Sequence, residues 1–184
     1  MLNRILAFLM LIVLSPVFII VILLIIIDDG WPVFFIQKRV GINYSFFNLY
    51  KFRSMKKNTP NVATHLLDKP EQYLLKIGIL IRKLSLDELP NLINILKGQM
   101  VFVGPRPALF NQDDLMQLRI TAGVDKLKPG LTGWAQVNGR DDISLEEKVA
   151  LEKEYLGRRS VKFDLRIVLM TIGKAFFWRD GISH

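Results

Sequence analysis

From Ile5 to Ile27 the chain runs 23 residues without a charge, whereas after Gly30 apolar and charged positions are mixed throughout. The first run is about as long as a bilayer-spanning helix, which needs ~20 residues to cross ~30 Å. Ser15-Pro16 falls near its middle, where proline removes a backbone donor and clashes with the preceding turn, so the helix should kink or break there. Each arm is then ~11 residues, or ~17 Å at 1.5 Å per residue, about half the hydrocarbon thickness. Prolines are tolerated in spanning helices, so a kinked span and a re-entrant hairpin both fit.

Beyond the apolar run the periodicity changes. Val33–Ile36 and Phe46–Phe52 read as short strands joined through Gly41-Ile42-Asn43. Lys69-Pro70 opens a predicted helix over Glu71–Leu84, with Leu74, Leu75, Ile77 and Ile79 as apolar markers and Gly78 against it. A second helix is expected over Asp113–Ala122. Pro129-Gly130 and Asn138-Gly139 are turn signals that predict a strand between them, Thr132 to Val137, with Asn-Gly as the hairpin cue. Ser144 and Glu147 form a capping-box pattern for a helix to about Leu156. Leu165, Val168, Leu169, Ile172 and Phe176 recur at helical spacing in a last element running to Trp178, which suits a core helix or an interfacial one. With no repeat or low-complexity tract, the expected architecture is α+β: a membrane helix-break-helix over residues 1–30, then one helix-rich domain over 31–184 with small β-hairpins and interfacial amphipathic helices.

Charge sharpens the division. Of the formal net charge of +8, residues 1–30 contribute −1 through Arg4, Asp28 and Asp29, leaving +9 on the remainder. Such a domain suits an anionic partner: nucleic acid, acidic lipid or a phosphorylated substrate. No acid occurs from Trp31 to Leu67, while Lys38, Arg39, Lys51, Arg53, Lys56 and Lys57 alternate with aromatic residues. Basic residues just beyond an apolar anchor sit at the anionic cytoplasmic leaflet, so the domain should face the cytoplasm. A signal peptide is disfavoured, because the apolar run exceeds a usual h-region and no small-x-small site follows. With no cysteine and only His65 and His184, disulfides, thiolate zinc sites and histidine-based catalysis drop out. Chemistry must rest on carboxylates, lysines or arginines.

The richest stretch for such chemistry is Leu84-Ser85-Leu86-Asp87-Glu88-Leu89-Pro90, continued through Gly98 and closed by Val103-Gly104-Pro105-Arg106-Pro107. Ser85-x-x-Glu88 is also a capping-box pattern, so both acids could merely cap a helix. With Asp87 rather than Ser85 as N-cap, Pro90 falls in the first turn, where it is tolerated. Either choice puts two carboxylates at a helix mouth, where anions collect, and that makes chemical sense only with cations between. Lys51, Arg53, Arg82 and Arg106 could serve, together with a hard ion such as Mg²⁺, which binds through one or two carboxylates plus substrate phosphates. Arg106, locked between Pro105 and Pro107, is a pre-organised guanidinium suited to bidentate phosphate recognition. A carboxylate can also attack phosphorus itself and split one transfer into two steps.

Five segments together carry a family resemblance: Phe35-Ile36-Gln37-Lys38-Arg39-Val40-Gly41, Tyr50-Lys51-Phe52-Arg53-Ser54-Met55, Ser85 to Pro90, Val103 to Pro107, and Pro129 to Arg140. In that order, over nearly the whole chain, they resemble the bacterial sugar transferases known as monotopic phosphoglycosyl transferases, in their minimal single-domain form with nothing fused before the anchor. The resemblance implies transfer of a sugar-1-phosphate from a UDP-sugar to polyprenol (undecaprenyl) phosphate, with release of UMP, as the first membrane step of a surface glycan. It implies that Asp87 is the covalent nucleophile, that Glu88 is its partner in metal and proton chemistry with Mg²⁺ at the pair, and that Lys51, Arg82 and Arg106 hold phosphates. Arg53 joins the basic set, and Asp164 matches a further functional acid. Ser15-Pro16 matches the family's re-entrant break, which favours a hairpin entering and leaving on the cytoplasmic face of the bacterial inner membrane.

Membrane lipid is then a partner, nucleic acid is not, and a homodimer stays open. Asn91, Gln99, Val101 and Glu152 depart from the family pattern without touching the acid pair. Pro107–Gln112 and the terminal Gly181–His184 resemble the branch that handles N-acetylated deoxyamino sugars. The rival reading is a bitopic, membrane-anchored basic binding or scaffold protein without catalysis, which gives no reason for Asp87-Glu88 beside Arg106.

Overall fold

The computed structural model describes residues 1–59, 70–139 and 143–177. His65, Arg140, Trp178, Arg179 and the tail 181–184 lie outside the described residues. The apolar run forms two helices, α1 (Leu2–Val13) and α2 (Ser15–Asp29), bent by 62° at Leu14. Pro16 stands in the first turn of α2, so its missing N–H falls among donors that a helix start leaves unpaired anyway. Among the described residues no single helix is long and apolar enough to cross a membrane, although the bent pair is when taken together.

Both arms lie against the rest of the chain along one face. Ala7 of α1 is buried among Phe47, Leu92, Ile95 and Met100, and Val21 and Ile25 of α2 are buried among Val33, Phe52, Leu75 and Ile81. Side chains the size of Val21 and Ile25 contribute about 1.5–3 kcal/mol each when fully buried. The other faces stay bare: Ile5, Leu9 and Ile12 on α1, and Ile19, Leu23 and Ile27 on α2, are all exposed.

β1 (Phe34–Val40) and β2 (Phe46–Phe52) pair antiparallel, Phe34 opposite Phe52 and Val40 opposite Phe46. The hairpin is as expected, but β1 runs four residues past Ile36, and its turn is a 3₁₀ segment, Ile42–Tyr44, with Asn43 at φ +51. The helix expected from Glu71 begins later, as α3 (Lys76–Lys83). Pro70–Tyr73 is a 3₁₀ turn, and Leu75 is extended because its N–H donates to the Ser54 carbonyl. Gly78 is the residue that lets α3 approach so closely, since a Cβ there would stand 2.1 Å from the Ser54 carbonyl oxygen.

A 3₁₀ turn, Leu86–Glu88, leads into α4 (Asn91–Lys97), with Gly98 in the left-handed conformation ending it. β3 (Val101–Val103) pairs in parallel with β4 (Gly130–Thr132), and α5 (Asp113–Ala122) lies in the crossover, with the expected bounds. The second sheet is therefore a parallel pair rather than another hairpin. The strand predicted over Thr132–Val137 is a correction: β4 ends at Thr132, and Trp134–Asn138 is helix α6. Asn138-Gly139 closes that helix instead of turning a hairpin; the Asn138 amide donates to the Trp134 carbonyl at 2.7 Å, and Gly139 N–H donates to the Ala135 carbonyl. Tertiary contacts decide this, because Trp134 packs on Phe163 and donates its indole N–H to Glu154 at 2.8 Å.

α7 (Leu145–Arg158) carries the predicted capping box, with Ser144 and Glu147 bonded reciprocally at 3.1 Å. α8 (Val161–Phe177) starts a turn before Leu165. Its core side is Phe163 and Ile167, whereas Leu165, Leu169 and Ile172 of the predicted stripe are exposed.

Candidate active site

Four segments meet at one open cleft of about 290 Å³: the hairpin through Arg39 and Lys51, the turn before α4 through Glu88, the loop after β3 through Arg106, and β4 through Leu131. Two buried asparagine bonds fix the turn relative to the hairpin. Asn94 of α4 accepts from Tyr50 N–H at 3.1 Å and donates to the Asn48 carbonyl at 2.7 Å, which sets α4 beside the strand that carries Lys51.

Lys51 Nζ stands 2.8 Å from Glu88 Oε1 and 3.7 Å from Asp87 Oδ2, and Arg106 Nη1 stands 3.8 Å from the same Glu88 oxygen. Glu88 thus bridges two cations. Asp87 is only 6% exposed, and its Oδ1 has no hydrogen-bond partner among the described residues. Leaving a buried acceptor bare costs about 1–3 kcal/mol. Burial raises the Asp87 pKa, opposed by Lys51, assisted by Glu88, and opposed again by Arg82. Arg82, buried in the last turn of α3, has its own pKa lowered by burial, with Asp87 offsetting part of that.

The capping role foreseen for the acids is not what they do. Ser85 sits at φ +54, the 3₁₀ turn makes no side-chain cap, and Pro90 occupies the N-cap of α4. The N–H groups of Leu92 and Ile93 donate to the Leu89 and Pro90 carbonyls, so the first turn of α4 makes no call on Asp87, which is buried.

Arg53 stands apart from this group. Its guanidinium is bound by the Asp29 carboxylate, by the Gly30 carbonyl at 2.6 Å and, through Nε, by the Pro32 carbonyl at 2.6 Å. It clamps the end of α2 to the hairpin, and among the described residues its partners are Asp29, Gly30 and Pro32 rather than the acid pair. Asp164 is also elsewhere: it lies 2.7 Å from the Tyr155 hydroxyl, which is 3.1 Å from the Val103 carbonyl and can donate to one of the two at a time. Burial and then Asp164 push the Tyr155 phenol pKa up. Asp164 does not line the cleft; its partner Tyr155 lies beside Val103, three residues before Arg106.

Three residues assigned to no site from sequence shape it. Arg39 lines the cleft, donates to Gln37 and holds the Pro107 carbonyl at 2.9 Å. Burial, followed by the like charge of Arg106, lowers its pKa to about 10, with Glu88 opposing. Arg119, 5% exposed, forms a two-point pair with Glu152, 2% exposed, at 2.8 and 2.5 Å and donates to the Arg106 carbonyl at 2.9 Å. Consecutive carbonyls of the proline-locked loop are thus each held by a guanidinium. Arg39 had a signal in the basic strand; an arginine inside the α5 pattern reads as solvated.

Four cations, Arg39, Lys51, Arg82 and Arg106, surround two carboxylates, which suits an anionic ligand. The donor set also fits Mg²⁺, because an orphaned buried carboxylate oxygen lies beside a second carboxylate and a hard cation fills its shell with substrate phosphates. Among the described residues no group of three or more Asp, Glu, His or Cys could hold an ion by itself.

The model of the family described as bacterial sugar transferase matches residues 1–178. The chain belongs to that family. It is 44% identical over 155 residues to the "Uncharacterized sugar transferase EpsL" of Bacillus subtilis, covering 84% of this chain and 75% of that protein. It is 37% identical to the undecaprenyl-phosphate glucose phosphotransferase of Komagataeibacter xylinus and 36% identical to the UDP-glucose:undecaprenyl-phosphate glucose-1-phosphate transferase of Escherichia coli, in each case over 94% of this chain. The chain spans only 35% and 39% of those two proteins' lengths. Against the rival of a non-catalytic basic module, family membership makes this sugar transferase an enzyme.

Proposed function

We propose that this sugar transferase moves a sugar-1-phosphate from a UDP-sugar to undecaprenyl or a similar polyprenol phosphate and releases UMP, at the cytoplasmic face of the bacterial inner membrane. The observation that carries the reading is Asp87, a buried carboxylate with a free oxygen beside the Lys51–Glu88–Arg106 array. The relatives' names supply the acceptor, and the three cations that line the cleft, Arg39, Lys51 and Arg106, suit a diphosphate.

Lys51 and Arg82 favour the carboxylate form of Asp87 and oppose the rise that burial gives its pKa, and an ionised Asp87 oxygen attacks the phosphorus that bears the sugar. That P–O bond forms as the bond to the bridging oxygen breaks, and the electron pair leaves with UMP. Arg106 and Arg39 neutralise the phosphate oxygens as charge shifts to the leaving group. In the second half, a phosphate oxygen of the polyprenol attacks the same phosphorus, and Asp87 leaves as a carboxylate, restored. Asp87 and Glu88 would hold Mg²⁺, which supplies Lewis-acid stabilisation of phosphate charge when bound.

The α1–α2 pair acts as the re-entrant anchor: each arm is too short to span, bares one apolar face, and is tied to the domain by its other face. The donor sugar, for which the relatives' names give glucose and galactose, is read by experiment. Purified protein with Mg²⁺, undecaprenyl phosphate and a panel of UDP-sugars should release UMP from one or a few of them. UDP-sugar without acceptor should leave a phosphosugar on Asp87, seen by intact mass. Turnover without any adduct, under conditions that trap the first half, would refute the covalent route.

A further inference from the structure

One polar side chain in the cleft has no assigned task. Asn91 opens α4, is 3% exposed, lines the cleft with Lys51, Glu88 and Arg106, and its Oδ1 has no hydrogen-bond partner among the described residues. Asn94, one turn along the same helix and buried as deeply, shows what an asparagine does when it serves the fold: its amide bonds to Tyr50, Asn48 and Gln99 at 3.1, 2.7 and 2.8 Å. A buried carboxamide loses its hydration whether or not protein replaces it, so one left bare at a cleft wall is unfavourable until a ligand brings the missing donor. Asn91 follows Asp87 by four residues. Leu89 and Pro90 between them have right-handed helical backbone, so the two residues stand about one turn apart.

We propose that Asn91 is a donor-recognition residue, whose carboxamide oxygen accepts a hydrogen bond from a hydroxyl or acetamido N–H of the sugar on the nucleotide donor. This rests on the reaction proposed above. The cations of the cleft take the phosphates, which have acceptors and need donors. The sugar is attached to the very phosphate that Asp87 attacks, so it is the donor-bearing part of the substrate nearest to Asp87 and hence to Asn91. The polyprenol chain offers no hydrogen-bond donor at all. A site built to bond a substrate hydroxyl or N–H discriminates against sugars that present none there, because the buried acceptor is then left unpaired.

The test compares wild type with Asn91→Leu and Asn91→Ala, using UDP-glucose, UDP-galactose and UDP-N-acetylglucosamine. Expected are a fall of about 10–100-fold in kcat/KM for the preferred donor and a smaller fall for the others, so that selectivity collapses. UMP affinity by calorimetry and Mn²⁺ affinity by electron paramagnetic resonance should not move, and the leucine variant should melt no lower than wild type, as follows when an unpaired buried amide becomes apolar. An equal fall for all three donors, or a lowered melting temperature in both variants, would overturn the proposal in favour of a structural asparagine. Weakened Mn²⁺ binding would overturn it in favour of a metal ligand. If wild type is active and the variants match it, the proposal alone fails; if wild type neither binds nor turns over any UDP-sugar, the proposed reaction fails with it.

Discussion

Two acid–base clusters lie on opposite sides of the Pro105–Pro107 loop, and they are finished to different degrees. Behind it, Arg119 and Glu152 meet at two points, are almost fully buried, and spend a further donor on the Arg106 carbonyl. In front, Glu88 is shared between Lys51 and Arg106, Arg106 stays at 3.8 Å, and Asp87 keeps a bare oxygen. A buried pair that meets at two points and also holds a backbone carbonyl is a structural part, because it is closed off from solvent and already committed to partners. An unsaturated one keeps an acceptor that a ligand can pair. The rear pair fixes where the front one points, by pinning the backbone of the residue the front cluster uses.

Substitutions can separate these roles. The largest effect expected is Asp87→Asn, which should reduce UMP release by about 10³-fold or more, since a neutral amide cannot serve as the attacking oxygen. The same variant should melt no lower than wild type, which calorimetry checks. Arg119→Ala should do the reverse of this on stability: breaking one side of a buried pair costs about 3–5 kcal/mol, or a drop of roughly 6–20 °C in a chain of this size. Replacing Arg119 and Glu152 together by apolar residues should recover most of that loss while UMP release stays low, because the Arg106 carbonyl has lost its clamp.

Arg106→Lys should lower kcat/KM about 10–100-fold with little change in melting, as a point charge replaces a planar fork. Arg53→Lys gives the converse contrast: its partners are Asp29, Gly30 and Pro32, so the loss should appear in melting temperature and detergent-dependent aggregation, with KM for the UDP-sugar unchanged. A raised KM without a stability change would return Arg53 to the phosphate site.

The smallest effect is in pH. Burial holds the Asp87 pKa above its unfolded value, so the stability attached to this group is present below about 3.9 and is lost as pH rises through the higher folded value. UMP release needs the carboxylate and should rise through that same window. The difference in stability between wild type and Asp87→Asn, measured from pH 4 to 8, should therefore grow with pH; a difference that shrinks would mean Asp87 is held below its ordinary value.

Much of this was legible in local patterns. The Ser15-Pro16 break, the β1–β2 hairpin, the bounds of α5 and the capping box of α7 each depend on residues within a few positions of one another. Asp87, Glu88, Lys51 and Arg106 were found from chemistry and resemblance, and the fold brings them together. Elsewhere local signals misled. Thr132–Val137 looked like a strand, but β3 pairs only as far as Thr132, and Trp134 has Phe163 and Glu154 to pack against. Arg53 read like Lys51 two residues earlier, which a continuing strand would put on the same face, but β2 ends at Phe52 and the end of α2 supplies the partners of Arg53.

The amino-acid sequence by itself determined that there is an apolar run broken in the middle, a basic domain behind it, a carboxylate pair followed by a proline-locked arginine, and membership of one family. Those are properties of composition, spacing and short-range backbone sterics, which act before the chain is folded. Which charges stay open and which are sealed was decided only by tertiary structure. Arg119 and Glu152 are 33 residues apart, and Lys51 and Glu88 are 37, so their pairing depends on how helices and strands pack. Burial then separates them: the low-polarity interior makes a complete pair permanent and an incomplete one reactive.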